Sequence, residues 1–443
     1  MKPNASIFLA AMFATLAPWA GAAVRGDLTS PAADPPMSLE QSIRFALQNS
    51  PLLKSTEHHV NATKAAIGQA RALQDFNFST RASLTKQGPV ITSAFSGTEI
   101  VPDHRYDLNL ILTRPLWAPG LSANRRLAEV TALQAEDNFE VVRQELIYAT
   151  TGAYLDVLRA QLLREVTQKS VEANRERLRI AEAMFKAGNS PKFDVLRAEV
   201  QLAAASERLA AAHNGVEVAK AFFNNELGRP AHTPVNLQPI ARERAPTPEL
   251  DESMRVALTA RPELASTQKQ IAIGAQKERA AQAGKLPTLN LSSAYNRQSV
   301  TGFSKNYSYS AQAFVSIPVF DGGLARHQVR QAREEKESAQ QTTEQTRQRI
   351  ELDVKRAVLN LDDASVRIDA TSKAVAQAEE ALRIASLRYQ TRLAPIIEVL
   401  DAEVALTQAR NNEINAWFDY AFAQAQWRRA VGKPERSIQR TGG

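Results

Sequence analysis

Residues 398–434 read EVLDAEVALTQARNNEINAWFDYAFAQAQWRRAVGKP, and residues 194–230 read DVLRAEVQLAAASERLAAAHNGVEVAKAFFNNELGRP. The two stretches begin and end on similar residues, so the chain repeats itself. A second match, between SIRFALQNSPLL at 42–53 and SMRVALTARPEL at 253–264, extends the repeat upstream. Internal repetition of this size indicates one structural unit that is built twice along the chain.

The repeat divides the chain into two similar halves. We predict a first structural repeat over residues 38–230, a linker over 231–247, a second repeat over 248–434 and a C-terminal tail over 435–443. The linker is rich in proline, which is typical of an extended connection rather than a helix or strand.

The first 22 residues, MKPNASIFLAAMFATLAPWAGA, place Lys2 before an apolar run that ends in small residues. This pattern predicts a secretory signal peptide over residues 1–22. No later segment has the roughly 18 apolar residues that a membrane-spanning helix requires. If the mature protein crosses a bilayer, we therefore expect it to do so with strands. The chain has no cysteine, so we expect neither disulfides nor lipid attachment through an N-terminal cysteine.

Several functional classes lack support in the sequence. The formal net charge is +7, but no basic run with interleaved aromatic residues indicates a nucleic-acid groove. No GxxxxGK[ST] loop is present for nucleotide binding. His58 and His59 are adjacent and cannot bind one metal from a helix, and Asp362 and Asp363 lack a nucleophile beside them. We therefore expect no enzyme, no cofactor and no nucleic-acid partner.

Long helices dominate both halves. In the second long stretch of the first half, apolar residues recur every seven positions, and alanines stand three positions later in each heptad. The apolar positions are Val195, Leu202, Leu209, Val216 and Phe223. A repeat of seven predicts helices that supercoil around each other, and the alanines allow close approach. A surface coiled-coil dimer is the alternative for such heptads taken alone.

Two further helical patterns, over 121–187 and 324–391, contain no proline. A helix of that length extends about 100 Å, which exceeds an ordinary globular domain. Shorter helical patterns, roughly 39–74 and 250–284, open the two halves.

Four segments between the short and the long helices alternate apolar with small polar residues. They cover residues 76–85, 106–113, 289–296 and 307–317. Strands of about ten residues with this period are typical of a transmembrane β-barrel, although one such pair alone could be a hairpin on a soluble core. Four strands cannot close, because open edges in lipid leave backbone groups unpaired. Closure therefore requires identical copies: two give eight strands, and three give twelve with room for water.

These segments resemble the TolC-type outer-membrane efflux family over residues 38–434. The most specific motifs are SLEQSIRFALQNSP at 38–51, SIPVFDGGLARHQVRQAR at 316–333, FDVLRAEVQL at 193–202 and IEVLDAEVAL at 397–406. The resemblance implies a mainly α fold with a transmembrane β-barrel. In that fold a trimeric twelve-stranded barrel, with four strands from each chain, continues into a long α-helical coiled-coil tunnel.

The resemblance also implies a function and partners. It implies a passive exit duct in the outer membrane, extending into the periplasm, for a tripartite efflux or type I secretion system. The expected partners are two further copies of the chain, outer-membrane lipid, a periplasmic adaptor, and an inner-membrane pump or ABC secretion transporter. The alternative is a periplasmic coiled-coil adaptor without a barrel.

Two acidic residues lie close to the end of the tunnel that is remote from the strands. Glu398 and Asp401 are one helical turn apart, so threefold symmetry would give two stacked carboxylate rings. Such rings favour cations and can bind a divalent ion. The family has an acidic ring at these matched positions. The alternative is that Glu398 only stabilises the positive end of a helix.

The resemblance further implies polar links that hold the tunnel closed. Two matched positions are present, Asp194 and Tyr389, but the arginine expected near that tyrosine is Ala394. Arg392 is the candidate substitute. Arg392 also stands where the first half has Gly188, a residue suited to a positive φ angle at a helix end. We therefore expect the second turn to differ in shape from the first.

Overall fold

The computed structural model describes residues 36–97, 99–101, 103–299 and 307–433. The predicted signal peptide and C-terminal tail lie outside these residues. The helices are α1 (Leu39–Asn49), α2 (Pro51–Ala72), α3 (Pro119–Lys186), α4 (Lys192–Glu226), α5 (Leu250–Ala260), α6 (Pro262–Ala283), α7 (Leu324–Gln390) and α8 (Ile396–Ala430). The strands are β1 (Asn77–Lys86), β2 (Ile91–Thr92), β3 (Glu99–Val101), β4 (His104–Trp117), β5 (Thr288–Ser299) and β6 (Tyr307–Ser316).

The two halves have the same order of elements, apart from the short pair β2 and β3. Each half has two short helices, two long strands, one helix of 68 or 67 residues and one of 35 residues. The helices of 68 and 67 residues, α3 and α7, therefore extend about 100 Å, as predicted. Among the described residues, no helix is both long and apolar enough to cross a membrane.

The short helix predicted at the start of each half is in fact two helices. The chain leaves helical geometry at Ser50, with ψ of 121°, and at Arg261, with ψ of 120°. A proline follows each of these residues, and the proline ring disfavours helical geometry in the residue before it. The Ser50 hydroxyl also accepts a hydrogen bond from the Leu53 amide (3.5 Å) at the start of α2. The prediction of one continuous helix at the start of each half was wrong. The proline that begins the second helix was taken as part of the interior of a single longer helix.

The four long strands form one antiparallel sheet in the order β1-β4-β5-β6. In this sheet β1 and β6 are edge strands, each with one side unpaired in the single chain. Strand β4 is longer than predicted and passes through Pro115, where the register with β5 shifts because proline has no amide to donate. The hairpin of β2 and β3 was not predicted, since its two strands are too short to show alternation.

The two faces of the sheet differ in chemistry, as the alternation predicts. Phe78 pairs with Leu112, and Tyr295 pairs with Tyr309, so apolar side chains share one face. Many of them are exposed in the single chain; examples are Phe78, Leu84, Tyr307, Tyr309 and Val315. The opposite face carries mainly small polar residues. A wide exposed apolar surface of this kind indicates contact with lipid or another protein.

Some of the heptad positions are buried in the helical body, whereas the first three apolar heptad positions named for α4 are only half-buried. Val216 and Phe223 of α4 and Val399 of α8 have no exposed surface, and Ala198 and Ala205 are also buried. Helix α3 is central to the body, because it packs against α4, α6 and α8. The buried alanines allow these long helices to approach closely.

The linker crosses the long helices and is attached to them by hydrogen bonds. The Tyr154 hydroxyl donates to the Gln238 carbonyl (2.6 Å), and the Tyr420 hydroxyl accepts from the Ala245 amide (2.9 Å). Burial raises the pKa of Tyr154 to about 12. Asn224 of α4 donates to two linker carbonyls. The linker therefore has a fixed path although it contains no helix.

Candidate functional site

Two tight turns join the long helices at the end remote from the sheet. One connects α3 to α4 and contains Gly188 at φ 69°, and the other connects α7 to α8 and contains Arg392 at φ 63°. In each turn the positive-φ residue donates its amide to the carbonyl three residues earlier, at 2.9 Å and 3.0 Å. The next residue donates to the carbonyl five residues earlier, at 2.8 Å in both turns. This is the Schellman arrangement that closes helix ends.

The prediction that the second turn differs in shape is therefore wrong. Arg392 adopts the left-handed backbone conformation that suits glycine, and both turns keep the same hydrogen bonds. Those bonds satisfy carbonyls at the end of α7 that would otherwise lack a partner. They offset the steric cost of placing a Cβ at positive φ.

The two predicted mouth carboxylates have different surroundings in the single chain. Glu398 lies in the first turn of α8, with its Oε2 3.5 Å from Nη1 of Arg388 on α7. Asp401 is exposed and has no ion pair within the described part of the chain. Because a ring requires several copies of the chain, the acidic ring stays a prediction at this stage.

Tyr389 and Asp194 lie near each other at the junction of the two helix pairs. Tyr389 packs against a small apolar cluster that includes Ala198, Ile396 and Leu400. Its hydroxyl is buried and has no hydrogen-bond partner among the described residues. Burial raises the pKa of Tyr389, and the nearby Asp194 carboxylate raises it further.

Asp194 is also partly desolvated at this junction. Burial raises the pKa of Asp194, although the charge of Arg197 acts in the opposite direction. The equivalent position in the second half is Glu398, which has Arg388 as a partner. The two halves therefore carry acids at matching places but neutralise them differently.

Arg392 is not brought to the other proposed gate residues in the single chain. Its side chain is exposed at the tip of the turn. Within the described ranges it forms no ion pair with Asp194 and no hydrogen bond with Tyr389. Any link through Arg392 would have to reach a neighbouring copy of the chain, and this role stays a prediction.

A charge pair close to the turns, in which the acid is buried and the arginine is half-buried, was not predicted from the sequence. Nη2 of Arg177 on α3 lies 3.6 Å from Oε2 of Glu403 on α8, and it donates to Oγ of Ser386 on α7 (3.3 Å). Glu403 is 8% exposed, whereas its counterpart in the first half, Glu199, is exposed. The repeat alignment did not indicate that only Glu403 is buried, because the two glutamates look equivalent in the sequence.

Arg177 connects three elements at once. It extends from the first helix pair to both helices of the second pair, so it fixes their relative position just above the turns. Oε2 of Glu403 has no hydrogen bond within the described residues. The pair therefore interacts through charge rather than through a close hydrogen bond, and its burial makes the loss of either partner costly.

The described residues also enclose a large cavity away from the turns. A cavity of about 1270 Å³ lies between α3, α4, α8 and the linker, beside Leu158, Leu209 and Trp417. It lies next to the linker and not at the turns. No group of three or more His, Asp or Glu side chains in the described residues is placed to hold a metal ion.

The sequence and the fold both match known proteins. The family model described as "Outer membrane efflux protein" matches residues 43–223 and 254–433, one stretch in each half. Protein CyaE of Bordetella pertussis is 28% identical over 305 residues, which cover 68% of this chain and 64% of CyaE. The outer membrane efflux protein BepC of Brucella suis is 25% identical over 215 residues, covering 48% of this chain and 46% of BepC.

Among solved structures, the outer-membrane channel OprN superposes with a TM-score of 0.77. The superposition covers 89% of this chain and 90% of OprN, at 20% sequence identity. At that identity the likeness concerns the fold, which is mainly helical with a small four-stranded sheet. The chain spans less than two thirds of the length of CyaE and of BepC.

Proposed function

Because the chain belongs to the outer membrane efflux protein family, we propose that it is the outer-membrane exit channel of an efflux or type I secretion system. In this function the channel is passive, and substrates are delivered to it by an inner-membrane transporter and a periplasmic adaptor. The family consists of outer membrane efflux proteins rather than enzymes. We extend this to the chain and propose that it catalyses no reaction.

The open sheet is the observation that carries the proposal. Strands β1 and β6 each have an unpaired edge, and the sheet has one strongly apolar face. In lipid an unpaired backbone group costs several kcal/mol, so the edges require partners. Pairing β6 of one copy with β1 of the next closes a barrel. Three copies give twelve strands, a number that leaves a water-filled lumen.

The helices supply the rest of the duct. Helices α3 and α7 extend about 100 Å from the sheet, which suits a tunnel across the periplasm. At the far end, Glu398 and Asp401 of three copies would form the acidic mouth. Asp194 and Tyr389, with Arg392 extending to a neighbouring copy, would hold that mouth closed.

Reconstitution of the purified protein tests the proposal. We expect a native mass of three chains in detergent and stepwise, long-lived conductance in planar bilayers. A soluble, monomeric protein that is extracted without detergent would contradict the channel and favour the periplasmic adaptor. If a trimer whose mouth is open gives no conductance, the water-filled lumen would also be contradicted.

A further inference from the structure

The polar face of the sheet carries an ordered row of side chains at the height of Arg81. In the register of the sheet, Arg81 of β1 pairs with Asn109 of β4, Asn109 pairs with Asn296 of β5, and Asn296 pairs with Ser308 of β6. Paired residues point to the same side of a sheet. These four side chains therefore form one polar row across the whole width of the sheet.

Charge on this face is sparse and unbalanced. Among the described residues of the four long strands, the charged side chains on the polar face are Arg81, Arg105 and Asp107. Arg105 Nε lies 2.9 Å from Asp107 Oδ2, so those two charges neutralise each other. Arg81 is exposed and has no ion pair in the described part of the chain. Each copy thus presents one uncompensated positive charge.

We propose that Arg81 determines charge selectivity in the outer-membrane part of the channel by favouring anionic solutes. The inference rests on the proposed function, because it requires that three copies close the barrel with the polar face inward. Threefold symmetry then places three arginines at one height around the lumen. Rings of basic side chains are the usual means by which pores favour anions.

The position of Arg81 allows its charge to act on the whole cross-section. Its neighbours in the row are uncharged amides and a hydroxyl, and it forms no ion pair with any carboxylate of the described residues. A charge about 10 Å from the pore axis still acts there at about 0.1 M salt, where the Debye length is about 10 Å. We expect three such charges to change the anion-to-cation permeability ratio by about twofold, and the effect to vanish near 1 M salt.

The absence of cysteine from the chain permits a direct test. Arg81→Cys is made in a protein that also carries Glu398→Gln and Asp401→Asn, so that the mouth does not dominate selectivity. Reversal potentials are recorded in a salt gradient before and after water-soluble methanethiosulfonates. A trimethylammonium reagent restores the positive charge at position 81, and a sulfonate reagent makes it negative.

We expect anion preference to fall with Arg81→Cys, to return with the cationic reagent and to reverse with the anionic one. Thr80→Cys is the matched control, because Thr80 lies on the apolar face beside Leu110 and should not react. A permeability ratio that is the same for all three charges at position 81 would overturn the inference. So would reaction at position 80 instead of 81. Failure of the parent protein to conduct would contradict the proposed function itself, a result distinct from these two.

Discussion

Glu403 and Glu199 occupy equivalent places in the two halves but have opposite surroundings. Glu403 is buried against Arg177, whereas Glu199 is exposed on α4. The Arg177 side chain is only 22% exposed, so it depends on Glu403 for an opposite charge. Removing one partner of such a pair leaves a poorly solvated charge behind.

We expect Glu403→Ala to lower the free energy of unfolding by about 1–3 kcal/mol, because the largely buried Arg177 side chain loses the carboxylate that lies 3.6 Å from it. Glu199→Ala is the matched control and should stay within about 0.5 kcal/mol of the parent. Thermal unfolding in detergent measures both. Equal effects of the two substitutions would show that the Arg177–Glu403 pair contributes nothing to stability.

The acids of the site could be found from the sequence, but their partners could not. Asp194 was located through the family resemblance and Glu398 through its place at the second turn, and the two positions match across the repeat. Arg177 and Glu403 are far apart in the chain, and each looks like an ordinary surface charge. Only the packing of α3 against α8 brings them together. Side-chain partners between distant helices depend on tertiary geometry that a heptad pattern does not specify.

At the scale of elements, α3 and α8 approach closely at Gly152. A Cβ added at Gly152 would lie 2.8 Å from Cε2 of Phe422, nearer than side chains tolerate. The Phe422 ring is itself fixed by an edge-on contact with Tyr148, with ring centroids 5.4 Å apart. In contrast, a Cβ at Gly215 of α4 would meet nothing within 4 Å.

The two glycines therefore predict opposite outcomes for the same substitution. Gly152→Ala should lower the free energy of unfolding by about 1–3 kcal/mol, because Phe422 must move. Gly215→Ala should raise it by about 0.5–1 kcal/mol, since alanine favours the helix and has free space. Denaturant titration in detergent compares them. A gain in stability for Gly152→Ala would contradict the tight packing of α3 on α8.

Most elements were predictable, but their ends were less so. A period of seven located α4, proline-free helical patterns located α3 and α7, and a period of two located the four strands of the sheet. The breaks at Ser50 and Arg261 were missed because a proline in a helical pattern is compatible with two readings. It can stand in the first turn of a new helix, and it can also end the helix that precedes it. The left-handed backbone conformation of Arg392 was not predicted, because glycine is usually preferred there. In the structure the hydrogen bonds of the whole turn outweigh that preference.

For the molecule as a whole, the proposed acidic mouth would be a property of three chains together. In one chain Glu398 has Arg388 beside it and Asp401 has no ion pair within the described residues. Threefold symmetry would bring six carboxylates around one opening. The three Glu398 carboxylates would each have Arg388 beside them, but the three Asp401 carboxylates would not, so the mouth should attract cations.

We expect Glu398→Gln with Asp401→Asn to reduce cation preference in planar bilayers and to weaken block by divalent cations added on the mouth side. The matched control is Asp362→Asn with Asp363→Asn, which removes the same charge from exposed positions in the middle of α7. Reversal potentials in a salt gradient measure the preference. Unchanged selectivity in the mouth variant would contradict the ring and leave Glu398 as a helix-start charge.

The arrangement of sheet and helices could be predicted because it depends on topology rather than on side-chain contacts. Four strands with an apolar face cannot seal a wall, whatever their side-chain details. The halves of the repeat also predicted that each pair of strands lies between a short and a long helix, as the structure has them. The path of the linker was beyond prediction, because Tyr154, Asn224 and Tyr420 fix it from other parts of the chain.

The two unpaired edges of the sheet have a genetic consequence. If each barrel is made of several identical chains, a chain with a defective edge strand also disables the intact chains on either side of it. Co-expression of such a chain with intact chains should therefore inactivate most oligomers. Lesions confined to β1 or β6 would then be dominant, whereas lesions that abolish the protein entirely would be recessive.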